Sequence, residues 1–223
     1  MDRIKMEYLL PLFPKRGKRT LEVGAGSGRL SRFLADVGHD VYCLDYCHEA
    51  LKYATRCFQE DRSQGKFVEG KAEELPFDDE TFDLVFSTGL LEHFENPVPL
   101  VKEMVRVLRS GGLFYSDIVP KKFSLLRSLE FVRPLLKREW NPMFEMPFTD
   151  KDITAFLKEA CLEKVTVFPA AVFPPCAPIL RRFETVRWIE SLLAQAATPL
   201  LKHLDGTWLA DCLGFYYFAY GYK

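Results

Sequence analysis

The sequence predicts an α/β protein, a doubly wound and mostly parallel sheet with helices on both faces. Three observations carry this. From residue 3 to residue 119, short apolar runs bounded by turn residues alternate with amphipathic stretches of helical period. The first run breaks into the turn Gly24-Ala-Gly-Ser-Gly28, and a helical pattern follows at once, the strand–turn–helix order of a nucleotide-type site. The run Phe82-Asp-Leu-Val-Phe-Ser87 is mostly apolar, as suits a strand buried on both faces.

Ile4, Tyr8, Leu9 and Leu12 give residues 3–13 a short helical pattern, and a basic turn over 15–19 follows. Strand one covers 20–23. The helix after the glycine turn places Leu30, Phe33, Leu34 and Val37 on one face and stops at Gly38. Strand two covers 41–44 and ends in Asp45. A helix over 48–60 turns Leu51, Ala54 and Phe58 inward, and a short strand covers 66–69. After the loop 70–79 and the strand 82–87, Asn96-Pro97 offers a cap and a first-turn proline. The helix they start carries Val98, Val101, Met104, Val105 and Leu108 on one face and ends at Gly111-Gly112. Strand five covers 113–119.

The pattern then loosens. Residues 121–138 are amphipathic and basic, and a helix over 150–160 is capped by Thr149 with Ile153, Phe156 and Leu157 inward. A strand over 163–168, a proline-rich passage over 169–178 and helix over 179–204 complete this part. Residues 214–220 are apolar on both faces, which places them inside the sheet and not at its edge.

The chain of 223 residues forms one domain, with 20–119 as its core and 120–148 and 170–211 as helical insertions over the site. Charged residues are 27% of it and balance to a formal −1, which argues against nucleic acid as a partner. The first seven residues lack the apolar core of a signal peptide, and the runs 192–201 and 208–220 are too short or interrupted to span a bilayer. The six cysteines show no Cys-x-x-Cys pair and no zinc spacing with the four histidines. Reduced core thiols, a cytoplasmic location and no metal are the expectation.

The dinucleotide fingerprint needs a third glycine where this chain has Arg29, so a pyrophosphate ligand is not indicated. Glu22, two places before Gly24, would repel a pyrophosphate but can receive a ligand ammonium. Asp45 stands about 20 residues past the turn, where a carboxylate can accept both hydroxyls of a ribose; a solvated strand-end acid or helix cap is the alternative use.

Taken together, Glu22-Val-Gly-Ala-Gly-Ser-Gly28, Asp45, Gly70-Lys-Ala-Glu-Glu-Leu-Pro-Phe77, Phe82-Asp-Leu-Val-Phe86 and Arg106-Val-Leu-Arg-Ser-Gly-Gly-Leu113 resemble the class I S-adenosylmethionine-dependent methyltransferases. The small-molecule subgroup called type 11 is the nearest in pattern. The resemblance implies a Rossmann-like seven-stranded sheet with an antiparallel last strand. It implies S-adenosylmethionine as cofactor and S-adenosylhomocysteine as product. Gly24, Ala25 and Gly26 would pass under the methionine portion, with Glu22 near its amino group. Asp45 would hold the ribose and Tyr46 lie against the adenine, with Ala72 and Glu73 along the adenine edge. Ser87, Thr88 and Gly89 would close the other side. The family's usual aspartate for the adenine amino group is replaced by Lys71, which cannot accept a hydrogen bond, so Glu73 or backbone must serve.

Methyl transfer from a sulfonium is an in-line displacement that asks chiefly for alignment in a water-poor site. A base is needed only if the nucleophile must lose a proton. His93, in the segment leaving strand four, is the candidate base, with a structural role as its alternative; Glu92 ranks below it. The aromatics of the two insertions suit a small-molecule or lipid-like acceptor, and the basic residues of 121–138 suit an anionic headgroup or peripheral contact with a membrane surface. A protein that binds the cofactor without transferring methyl, acting as a partner or regulator, is the alternative reading.

Overall fold

The computed structural model describes residues 2–119, 146–170, 185, 201–214 and 216–223. The expectation for 121–138 and most of that for helix over 179–204, with most of both insertions, lie outside the described residues. A helix α1 (Asp2–Leu12) precedes β1 (Arg19–Val23), α2 (Arg29–Asp36), β2 (Asp40–Asp45), α3 (His48–Glu60) and β3 (Lys66–Glu69). Next come β4 (Phe82–Thr88), a 3-10 turn (Leu91–His93), α4 (Val98–Val107) and β5 (Leu108–Ile118). The last elements are α5 (Asp150–Glu159), β6 (Glu163–Ala170), a 3-10 turn (Lys202–Leu204), α6 (Trp208–Leu213) and β7 (Tyr216–Tyr222).

The strands form one seven-stranded sheet in the order β3-β2-β1-β4-β5-β7-β6. The pairs from β3 to β5 are parallel, and β7 runs antiparallel to both β5 and β6. The sheet is therefore the doubly wound one expected, with the apolar last strand interior. Strand order reverses between β1 and β4, so the crevice at the carboxyl ends of those two strands is where this topology puts a ligand.

Alternation of side chains divides the core between the two faces. Leu21, Val23, Val85 and Phe114 pack with α4 (Val101, Met104) and α5 (Ile153, Leu157) on one face. Leu84, Phe86, Tyr115 and Phe218 pack with α1 (Met6, Leu9), α2 (Leu30, Leu34) and α3 (Phe58) on the other. α5 starts as expected: the Thr149 hydroxyl accepts from the Asp152 amide while the Asp152 carboxylate accepts from the Thr149 amide, a full capping box.

Two expectations need correction. Phe33 is 39% exposed, and Ser31 takes the buried position on α2 instead. α4 ends at Val107, not at the glycine pair, and Leu108 opens β5 directly opposite Phe82. The ladder shifts register before Leu84 pairs with Leu113, and Gly111, at φ 73, sits in that irregularity with its amide on the Lys223 carbonyl. The helix therefore runs into the strand without a loop, and the glycines mark a bulge rather than a helix end.

Candidate functional site

The glycine turn is held open by its backbone. Gly24, Gly26 and Gly28 all take positive φ, 69°, 52° and 63°, where a side chain would be strained. A Cβ at Gly24 would strike Leu90 at 2.8 Å, whereas one at Gly26 would meet nothing within 4 Å, which marks Gly26 as facing the cleft. Gly28 does the close-packing work that a dinucleotide site assigns to the next position: a Cβ there would lie 3.1 Å from Phe58.

The turn leads into a cleft of about 190 Å³ lined by Glu22, Gly24, Ala25, Gly26 and Thr88, together with Lys5, Ser27, Arg29 and Leu30. Five residues expected from sequence thus line one cleft. Glu22 is 1% exposed, and its Oε2 accepts from the Ser31 amide at 3.1 Å. Burial dominates that bond and pushes its carboxyl up to about 7.

Asp45, at the tip of β2, bonds backbone with both oxygens. Oδ2 accepts from the Gly26 amide at 2.8 Å and Oδ1 from the Cys47 amide at 2.9 Å. It therefore ties the glycine turn to the start of α3, close to the helix-cap use the sequence offered as its alternative, and retains lone pairs for further donors. Tyr46, next along, is 80% exposed on the rim. The Asp45 carbonyl accepts from Gly70 at 3.1 Å, so the loop carrying Lys71, Ala72 and Glu73 starts beside it; Lys71 and Glu73 are exposed and Ala72 half-buried.

On the opposite side Thr88 reaches the cleft, while Ser87 is fully buried with its hydroxyl 2.9 Å from that of Ser116. Gly89 turns the chain at φ 64°, with its amide on the Asp117 carbonyl. His93 ends the 3-10 turn and is half-buried. Its neighbour Glu92 is more deeply buried. It is 1% exposed, Oε1 accepts from the Val119 amide at 3.0 Å, and Oε2 has no hydrogen-bond partner among the described residues. Burial pushes its carboxyl up to about 7. Glu92 thereby fastens the end of β5 to the turn after β4.

Sequence reasoning missed Lys5. Its ammonium, 8% exposed as a residue, lies 2.7 Å from Asp117 Oδ1 and 4.7 Å from the centre of the Tyr216 ring. It brings a positive charge to the cleft that holds Glu22. The signal available was slight: a lysine on the polar side of a short helix, with a partner 112 residues away. Among the described residues no group of three or more His, Cys, Asp or Glu is disposed to hold a metal ion, and no helix is long and apolar enough to cross a membrane.

A glycine cradle thus stands at the topological switch point, with a buried acid before it and an acid at the tip of the next strand. Residues 21–116 match the family model described as a methyltransferase domain. A ubiquinone biosynthesis O-methyltransferase of Xanthomonas oryzae pv. oryzae is 29% identical over 143 residues, spanning 62% of this chain and 60% of its own length. A demethylmenaquinone methyltransferase of Renibacterium salmoninarum is 38% identical over 96 residues, 43% of this chain and 39% of its own length. Among solved structures, Haemonchus contortus phosphoethanolamine N-methyltransferase 2, in complex with S-adenosyl-L-methionine, superposes with TM-score 0.67 at 17% identity, over 99% of this chain and 52% of its own. The cyclase SpnF gives 0.66 at 17%, over 100% of this chain and 81% of its own. At these identities the structural likeness is one of fold.

Proposed function

We propose that this protein transfers the methyl group of S-adenosylmethionine to a small-molecule or lipid-like acceptor, by in-line displacement in a closed pocket. The observation that carries the reading is the presence of the buried acid Glu22 and the Lys5 ammonium in one cleft, over a glycine turn open at Gly26. A zwitterionic amino-acid end fits this cleft, ammonium toward Glu22 and carboxylate toward Lys5, while a pyrophosphate would meet a buried acid.

The residues present fit the cofactor, which when bound supplies a methyl group made electrophilic by its sulfonium. Asp45 receives the ribose hydroxyls on the lone pairs left by its two amide bonds. Tyr46 covers the adenine, and Ala72 and Glu73 border its edge, with the Glu73 carboxylate as acceptor in place of the lysine at 71. Thr88 and Gly89 bound the opposite side, and Ser87 supports them from inside the sheet. Exclusion of water strengthens each polar contact and aligns the acceptor. In this reading His93 takes up the proton that a hydroxyl acceptor loses. The named activities of the relatives, on quinone precursors, support the acceptor class, and a cytoplasmic location accords with it.

A second reading, cofactor binding without methyl transfer, is favoured by Lys71 at the usual acid position and by a cyclase of the same fold. Calorimetry with S-adenosylmethionine and S-adenosylhomocysteine tests the shared premise, and no binding of either refutes both readings. Transfer of labelled methyl from the cofactor into the lipid and small-molecule fractions of a cell extract separates them. Incorporation establishes the enzyme; tight cofactor binding with none supports the second reading.

A further inference from the structure

Arg106, in the last turn of α4, faces the loop between Gly70 and Asp79. Its guanidinium uses all three nitrogens. Nη1 donates to the Phe77 carbonyl at 2.9 Å and to Asp79 Oδ1 at 2.7 Å. Nη2 donates to the Leu75 carbonyl and to Glu103 Oε2, both at 2.9 Å, and Nε to Glu103 Oε1 at 2.9 Å. Glu103 Oε2 also accepts from the Leu75 amide at 3.0 Å, so both backbone groups of Leu75 are held by this one pair.

The loop is fixed apolarly at the same place. Leu75 is 3% exposed, and the Phe77 ring meets Tyr42 and Phe82 edge-on at 6.0 and 5.0 Å. At its other end the Gly70 amide is on the Asp45 carbonyl. Residues 71–74, which include Ala72 and Glu73, are suspended between these two anchors. Arg106 is itself anchored, since its carbonyl accepts from the Glu80 amide at 3.1 Å and from Lys223 Nζ at 3.2 Å. Neither Arg106 nor Glu103 lines the cleft. A half-exposed ion pair alone contributes little. A planar fork gripping a carboxylate, two carbonyls and a second carboxylate fixes geometry as a lysine cannot.

We infer that Arg106 and Glu103 act as positioning residues that set the placement of Ala72 and Glu73, and so govern how tightly and how selectively the purine of the cofactor is held. The inference rests on the reading above that this loop borders the adenine. A fixed loop discriminates between bases because its donors and acceptors cannot follow a changed pattern. A loosened one adapts, and selectivity falls before binding is lost.

The test is calorimetry with S-adenosylhomocysteine and with its inosine analogue, in which a 6-oxo group replaces the amino group. The wild type is expected to favour the adenine form by about tenfold, the worth of one hydrogen bond. Arg106→Lys should lose about tenfold on the adenine form and less than about threefold on the inosine form, bringing the ratio near one. Glu103→Gln should move the ratio the same way by less, and it keeps the inference testable if Arg106→Lys fails to fold. A variant with an unchanged ratio overturns the clamp, as does a parallel loss of both ligands, which is general loosening. A wild type that binds S-adenosylhomocysteine yet does not distinguish the bases refutes the adenine-edge reading and the clamp with it, an outcome visible before any variant is made.

Discussion

The buried acid before the glycine turn gives the site a proton ledger that can be measured. Glu22 titrates at about 7 in the folded protein against an ordinary 4.5, because burial disfavours its charge. The sign follows from which state binds more protons. Between those values the native state keeps a proton that the unfolded chain has lost, so stability falls as pH rises through this window and is lowest above it. The full difference corresponds to about 3 kcal/mol, an upper figure for a group 1% exposed. Glu22→Gln keeps an acceptor for the Ser31 amide and removes the titration. At about pH 8 it should therefore raise the unliganded protein's stability by up to ~3 kcal/mol, and at about pH 5 by little. Because Glu92 is raised as well, the difference between wild type and variant, and not the wild-type slope alone, isolates Glu22.

Ligand binding should reverse the shift, since an ammonium beside the carboxylate favours its ionised form. Near pH 6 roughly nine-tenths of Glu22 is protonated, so binding S-adenosylhomocysteine should release up to ~0.9 proton, falling to ~0.1 near pH 8. Calorimetry in buffers of different ionisation enthalpy reads this number directly. A buffer-independent enthalpy for the wild type near pH 6 would refute the ammonium assignment, and so would a release that persists in Glu22→Gln.

Three further substitutions probe the remaining parts. Asp45→Ala removes the acceptor for the Gly26 and Cys47 amides along with the expected ribose contact, and should weaken S-adenosylhomocysteine binding by about 2 kcal/mol, roughly thirtyfold; unchanged affinity in a titration speaks against the ribose role. Lys5→Met leaves the buried Asp117 without its Lys5 counter-charge and should cost ~3–5 kcal/mol in thermal melts. The double variant Lys5→Met/Asp117→Asn should recover most of that stability but not cofactor affinity, and recovery of both would remove Lys5 from the carboxylate site. His93→Ala should abolish labelled-methyl turnover while sparing cofactor affinity; wild-type turnover would make the histidine a structural residue of the turn.

The sheet and the cradle were legible because their signals are local. The glycine run, the apolar run 82–87 and the cap Thr149 each state a conformation within a few residues, and α3 and β3 lie where their pattern put them. What escaped depends on partners distant in sequence. Lys5 reads as a solvated lysine until Asp117 is beside it, and for Asp45 the sequence offers a ribose acceptor or a helix cap but not the bond to the Gly26 amide across the glycine turn. Arg106 and Glu103 read as a polar helix face, although the loop they grip is about 30 residues earlier. Leu108 fits a helical period equally well as a strand start, and only pairing with Phe82 decides between them.

The place of β7 carries a consequence for how the chain is made. It is the last strand in sequence, yet it lies between β5 and β6 and supplies hydrogen bonds to both. At ordinary ribosomal speeds of about 5–20 residues per second, the roughly 100 residues separating β5 from β7 take about 5–20 s to emerge. Through that interval the outer edge of β5 waits, with Tyr115, Ser116 and Asp117 lacking the partners they will have in the finished sheet. Protection of the nascent chain, or a lower growth temperature during expression, should therefore raise this protein's soluble yield.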